Sequence, residues 1–423
     1  MSKTKKYDWS DPDNLPTLEA HSITKHEVLQ AYLHRYLEVL NIDPRIPSFK
    51  IYLIDGFCGG GQYVNELTNK LQSGSPAIIL DTVRDAEALI NLKRDKEFKI
   101  HAKYFFVDTN PHAIRFLKEH LISNGYKDRA QDMTFINGLF AERANDIIRN
   151  IEAKSKNSRA IFILDQYGYK DVPLHIIRDI FRKLPNAEII LTIATDWIID
   201  YINDSDKSKF LIKKIGLNQL SKLSIEDTKK QADWRMYIQK HLSDSFKNDS
   251  GALFYTPFFI KSNNCNRSYW LVHLSMHEKA RNEMMQVHWK LQNHFIHHGG
   301  SGLNMLGYNP DDDERVTGQV PMFVFDNVAK DQSLKSLELD LPSWIHKEGG
   351  DVTFRNIIKQ TFNTSPASDE MYKEVLFKLS KYGELEIKTP KGSNRRVSLQ
   401  ISPNDNIRLK KQTQFYFMKP DKA

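Results

Sequence analysis

The 423-residue sequence carries a formal charge of +7 with 40% hydrophobic and 27% charged residues, the proportions of a soluble globular chain long enough for two or three domains. No apolar run approaches the roughly 20 residues of a membrane helix, and residues 1–8 hold no apolar signal core, so no membrane association is expected and a cytoplasmic location is. Cys58 and Cys265 stand far apart and build neither a disulfide framework nor a four-cysteine zinc site, and the histidines show no H-E-x-x-H spacing, so no metal site is expected.

A first helix is expected over residues 22–41, where Ser22 or Thr24 can cap it and Val28, Leu29, Tyr32, Leu33, Tyr36, Leu37 and Leu40 recur at helical spacing. Next, Ile51-Tyr52-Leu53-Ile54 reads as a strand covered on both faces. It ends in Asp55 and breaks into Gly56-Phe57-Cys58-Gly59-Gly60-Gly61, which is either a nucleotide-binding turn or only a tight turn. The pattern then alternates: helix 76–93, strand 103–107, helix 111–123, strand 133–136, helix 140–153, strand 160–164, helix 173–183, strand 187–194. A charged helical stretch over 196–247, with Trp197, Trp234 and Tyr237 on apolar faces, interrupts the alternation. Residues 252–260 and 268–275 follow as an antiparallel hairpin.

The expected fold class is therefore α/β: a Rossmann-like, doubly wound parallel sheet closed by an antiparallel hairpin, the arrangement of class I S-adenosylmethionine methyltransferases. Dehydrogenase folds usually continue parallel, which disfavours a nicotinamide-dependent oxidoreductase. A helix over 277–297 leads to residues 309–314, Asn-Pro-Asp-Asp-Asp-Glu, read as exposed linker. Helices near 334–346, 353–362 and 368–381, a strand at 385–388, a turn at 389–394 and strands ending at 414–417 then predict a winged helix-turn-helix. The expected domains are 1–305, with the linker 306–333, and 334–423.

In the class I arrangement a glycine turn follows the first strand, an acid ends the second for the ribose hydroxyls, and a polar turn follows the third beside adenine. The chain fills these positions with Asp55, Gly56, Phe57, Gly59 and Gly61, with Asp108 after Tyr104-Phe105-Phe106-Val107, and with Asn137 before Gly138. The alternative for Asp108 is a cap on the helix that follows, and Asn137-Gly138 is also an ordinary turn. Ser75, between Gly74 and Pro76, is expected to cap the helix after the glycine turn.

Strand 160–164 ends in Asp165-Gln166-Tyr167-Gly168. Amino-methyltransferases carry D-P-P-Y at this place, so Asp165 and Tyr167 are the candidate catalytic residues for an acceptor amine, against the alternative of a strand-end acid and a core tyrosine. Gln166 and Gly168 depart from that motif. Residues 383–423 hold nine Lys or Arg against four acids. Lys388, Lys391, Arg395, Arg396, Lys410 and Lys411 form a candidate nucleic-acid surface on the wing, or else a solvated or protein-docking face.

Lys25-His26 with the 32–37 helix, Asp55 to Gly61, Gly74-Ser75-Pro76, Phe106-Val107-Asp108, Asp165 to Gly168, Leu271 to Ser275 and the 284–289 stretch together resemble the bacterial three-Cys-motif partner family, TcmP. Members more often show Asp-Pro-Phe-Gly where this chain has Asp165-Gln166-Tyr167-Gly168. The resemblance implies a methyltransferase-like fold and a partner protein that carries a three-cysteine motif and looks like a radical S-adenosylmethionine enzyme, while the class I pattern of residues makes S-adenosylmethionine the expected cofactor. It supports the fold more firmly than a reaction. A non-catalytic scaffold with a degenerate cofactor pocket is the rival.

Overall fold

A computed structural model describes residues 7–166, 170–194, 198, 202–217, 220–230, 234–261, 268–291, 294–296, 302–304 and 322–410. The expectations on Tyr167, Gly168, Trp197, Cys265, the 309–314 run, Lys411 and the 414–417 strand fall outside these residues. The chain divides into two compact units, residues 1–299 with 306–326, and residues 300–305 with 327–423.

The first unit is built on a seven-stranded sheet. In chain order its strands are β1 (Ser48–Asp55), β2 (Lys99–Asp108), β3 (Met133–Asn137), β4 (Ala160–Leu164), β5 (Ala187–Ala194), β6 (Phe254–Lys261) and β7 (Ser268–Ser275). Across the sheet they lie in the order β3-β2-β1-β4-β5-β7-β6, the first five parallel and β7 antiparallel to both neighbours. This is the arrangement expected from sequence: a Rossmann-like sheet of class I methyltransferase type. Every residue of β4 and β5 is buried, because helices cover both faces and leave no room for alternation.

Helices α1 (Ala20–Leu40), α2 (Ser75–Asn91), α3 (Pro111–Leu121), α4 (Phe140–Glu152), α5 (Leu174–Lys183) and α6 (Glu278–Leu291) surround the sheet. Tyr32, Leu33, Ile79, Leu117 and Met285 pack one face, while Ile148, Ile177 and the insertion residues Ile212, Ile238 and Leu242 pack the other. The insertion supplies helices Asp206–Ile215, Ile225–Lys229 and Trp234–Asp249. No helix among the described residues is long and apolar enough to cross a membrane.

Three local expectations are corrected here. α1 begins at Ala20 after Glu19, and Ser22 is buried inside the helix, so neither Ser22 nor Thr24 caps it. The Ser22 amide donates to the Glu19 carbonyl at 2.9 Å, which starts the first turn earlier. α6 stops at Leu291, and residues His294–Ile296 form a strand paired with Met322–Val324 instead of continuing the helix to 297. The first helix of the second unit starts at Asn327, inside the stretch read as linker.

The second unit holds α7 (Asn327–Lys347), β8 (Asp351–Thr353), α8 (Phe354–Thr361), α9 (Asp369–Lys381), β9 (Leu385–Lys388) and β10 (Asn406–Leu409). β10 pairs antiparallel with both β8 and β9. Thr353 and Ser368 cap α8 and α9 through their hydroxyls. Three helices, a small antiparallel sheet and a β9–β10 loop over 389–405 make a winged helix. The second wing strand lies at 406–409, and β8 is a strand that sequence alone does not reveal, because three residues carry no readable period.

Candidate functional site: the carboxyl edge of the sheet

Register decides which side chains meet. Asp55 ends β1 opposite Phe106 of β2 and Ile163 of β4, so Asp108 and Asp165, each two residues further on, emerge from the same edge. This is where the strand order reverses, and where open α/β sheets bind ligands.

Asp108 is half-buried and tied down at both oxygens. Its Oδ2 accepts the Gly59 amide at 2.9 Å and its Oδ1 accepts the Asn110 amide at 2.8 Å. The cap of α3 is Asn110, whose side chain accepts the His112 amide at 3.0 Å, so Asp108 is not the helix cap. Burial raises its carboxyl above the ordinary range, against the amides of Asn110, Gly59 and Thr109, which favour the charge. A carboxylate has about four acceptor sites, so one remains beyond these three amides for a further donor such as a ligand hydroxyl. Asn137, exposed at the end of β3, donates through Nδ2 to the Asp108 carbonyl at 3.0 Å and so sits beside it.

Asp55 is 1% exposed. Its carboxylate accepts the Phe57 amide at 3.2 Å on Oδ1, while Oδ2 is buried and meets no donor in good hydrogen-bond geometry, the Ser75 hydroxyl being the polar group nearby. Burial pushes this carboxyl up to about 7; the Ser75 hydroxyl and Phe57 amide resist, and the Asp165 and Asp108 charges add to the rise. An orphaned buried oxygen beside a glycine turn is a seat for a donor such as a ligand ammonium or hydroxyl, so the residues present fit S-adenosylmethionine. Ser75 is helical and makes no cap; Gly74 is the cap residue of α2, with no side-chain bond.

The glycine turn has a second role that the sequence does not show. Gly59 and Gly61 take positive φ, 56° and 76°. A Cβ on Gly60 would fall 2.4 Å from Cδ1 of Trp9, and one on Gly56 would fall 2.7 Å from Leu164. The Trp9 indole covers the turn, donates to the Gln62 carbonyl at 3.0 Å, and packs edge-on against Tyr63. Residues Gln62–Asn65 and Leu71–Ser73 form a hairpin within this connection, which lengthens the path from the turn to Asp108. Phe57 is half-buried, 6.2 Å from Phe140 between ring centroids. Cys58 is buried, and burial with the Asp55 and Asp108 charges pushes its thiol well up, so it is a packing residue.

At the end of β4, both Asp165 oxygens accept the Lys25 ammonium at 2.7 Å. Burial alone raises the Asp165 carboxyl, but the Lys25 charge and hydrogen bond, with the Thr192 hydroxyl and His26, outweigh it and hold the acid below its usual range. Lys25 is 8% exposed and comes from α1. It is absent from the site residues named from sequence, although it lies on the buried stripe His21, Lys25, Val28, Tyr32, where a lysine signals an internal partner. Burial lowers His21 and His26 to about 4; the Lys25 charge adds to the fall and Asp165 opposes it, so both are neutral at pH 7. Gln166 is buried and its side-chain oxygen accepts the Asp171 and Val172 amides at 3.2 Å, which ties residues 171 and 172 to the end of β4.

In the second unit the wing cations are unequal. Arg395 binds the fully buried Asp405, its Nη2 donating to Oδ1 at 2.8 Å, and Lys388 pairs with Glu386 at 3.0 Å, so neither is a free phosphate contact. Lys391, Arg396 and Lys410 make no ion pair among the described residues, and Lys391 and Arg396 are exposed.

Residues 307–392 match a family model described as the GMT-like wHTH domain. No curated protein matches the chain. Among solved structures the chain is similar to the plantazolicin methyltransferase BamL in complex with a triazolic desmethylPZN analog and SAH, at 13% identity over 61% of this chain and 87% of that one, with TM-score 0.26. It is also similar to a protein described as an S-adenosyl-L-methionine-dependent methyltransferase from Methanococcus maripaludis, at 14% identity over 66% and 97%, with TM-score 0.26. A precorrin-6Y C5,15-methyltransferase from Geobacter metallireducens shares 14% identity over 56% and 87%, with TM-score 0.23.

Proposed function

We propose that the chain binds S-adenosylmethionine and transfers its methyl group to a nitrogen in nucleic acid, which the wing of the second unit engages. We place it with the three-Cys-motif partner family, TcmP, acting beside a radical-S-adenosylmethionine-like partner protein. The observation that carries the cofactor reading is the Asp108–Gly59 bond at the carboxyl edge, which fixes an acid against the glycine turn at the point where strand order reverses.

The cofactor supplies an electrophilic methyl group on a sulfonium. The chain's own work is then to bind, align and exclude water, and a strong general base is not required. Asp108 binds hydroxyls, Asn137 lines the adenine side, Asp55 receives a donor on its free oxygen, and half-buried Asp165 faces the acceptor.

A scaffold without methyl transfer is the second reading. It is favoured by one observation, the Lys25 ammonium on both oxygens of Asp165, which competes with any acceptor amine. Calorimetry with S-adenosylmethionine, S-adenosylhomocysteine and NAD on wild type and Asp108→Ala tests the cofactor; absence of binding by both sulfur ligands sinks it. Labelled methyl transfer to DNA, RNA or partner protein separates enzyme from scaffold.

A further inference from the structure

The charges gathered at the carboxyl edge are unbalanced. Asp55, Asp108 and Asp165 bring three carboxyl groups, His21 and His26 are held neutral, and Arg143 lies apart beside Gly138 at the β3 end. Lys25 is the cation seated against Asp165. S-adenosylmethionine, on the reading above, brings a zwitterion to this edge through its amino-acid end. The ammonium of that end suits the orphaned Oδ2 of Asp55. Its carboxylate meets an edge lined by acids and needs a cation to receive it.

We propose that Lys25 receives the cofactor's carboxylate, an inference that rests on the cofactor reading. A lysine ammonium has three donors. Two directions are taken by the Asp165 oxygens, and the third has no partner among the described residues. A buried ammonium on a helix stripe is costly unless charge-paired, and Asp165 supplies that pairing while keeping Lys25 in place before a ligand arrives. Asp165, with its side chain 32% exposed, keeps an open side for an acceptor. Lys25 is thus a binding residue for the amino-acid end, and the pair it forms is not simply a block on the acceptor end.

The test compares two probes on the full chain by calorimetry: S-adenosylhomocysteine, and 5′-methylthioadenosine, which lacks the amino-acid end. Lys25→Met removes the cation. Lys25→Met/Asp165→Asn also removes the carboxylate that would be left unpaired, which guards against misfolding, and thermal melts check both. The expected result is that both variants bind S-adenosylhomocysteine about tenfold or more weakly and 5′-methylthioadenosine within about twofold of wild type. Unchanged S-adenosylhomocysteine affinity in the folded variants overturns the proposal, as does an equal loss for both probes. Failure of wild type to bind either probe overturns the cofactor reading itself, a different outcome from either.

Discussion

The acid that ends β2 holds the turn that follows β1: Asp108 accepts the Gly59 amide at 2.9 Å, and Gly59 is in the left-handed region with φ 56°. Removing the carboxylate has two separable effects. Asp108→Ala frees the turn and removes the hydroxyl-binding oxygens, whereas Asp108→Asn keeps an acceptor but loses the charge. S-adenosylhomocysteine binding is expected to fall about a hundredfold or more in Asp108→Ala and by less in Asp108→Asn, because charge-assisted bonds are the stronger ones. Calorimetry reads this, and an Asp108→Ala chain that binds as wild type does would refute it.

Asp55 makes stability depend on pH in a direction opposite to most acids. Its carboxyl titrates at about 7 in the folded chain, against about 3.9 for an aspartate in water. Between those values the folded state binds more protons than the unfolded one, so the contribution is fully present below about pH 4 and is lost as pH rises through 7, at about 1.4 kcal/mol per pH unit. Asp55→Asn removes this slope, since the amide does not ionise. Urea melts from pH 5 to pH 8 are expected to show a smaller fall for the variant; parallel curves would disprove the assignment. A ligand ammonium on Oδ2 favours the charged form, so S-adenosylhomocysteine binding near pH 7 should release protons from wild type and fewer from Asp55→Asn.

Trp9 and Gly60 are expected to behave as one packing unit. A methyl group on Gly60 lands 2.4 Å from the indole, so Gly60→Ala must displace Trp9, which is 5% exposed. Overpacking of this kind costs about 1–3 kcal/mol. In Gly60→Ala/Trp9→Ala the clash is absent, and the double variant should be more stable than the sum of the single losses implies. Thermal melts of the four proteins decide, and strict additivity removes this packing from the account.

What is legible in the sequence follows from long, consistent signals. β4 and β5 are read from unbroken apolar runs because a strand covered on both faces needs no polar positions, and the acids at 55, 108 and 165 stand where those runs stop. Lys25 is not legible as a site residue, because a lysine in a helix ordinarily faces water and its partner lies 140 residues away. Ser75 reads as a cap because Pro76 follows it, yet Gly74 already takes the extended cap conformation and leaves the Ser75 hydroxyl near Asp55. Arg395 and Arg396 are indistinguishable in sequence, since only the fold shows which of two adjacent cations meets a buried acid.

That difference makes the wing testable by adjacent residues. Arg395 binds Asp405, which is fully buried and also accepts the Ser402 amide at 3.0 Å. Arg395→Ala leaves that acid without its cation and is expected to lower the melting temperature of the second unit by about 5 °C or more. Arg396 and Lys391 are exposed, and their replacement by alanine should leave the melt unchanged. If the wing engages nucleic acid, Lys391→Ala/Arg396→Ala weakens binding to a mixed-sequence DNA duplex and lowers the slope of log K against log salt by about 2, one for each phosphate that these two cations would neutralise. Fluorescence anisotropy at several salt concentrations measures both quantities. An unchanged slope in a stably folded double variant assigns these two cations to solvent.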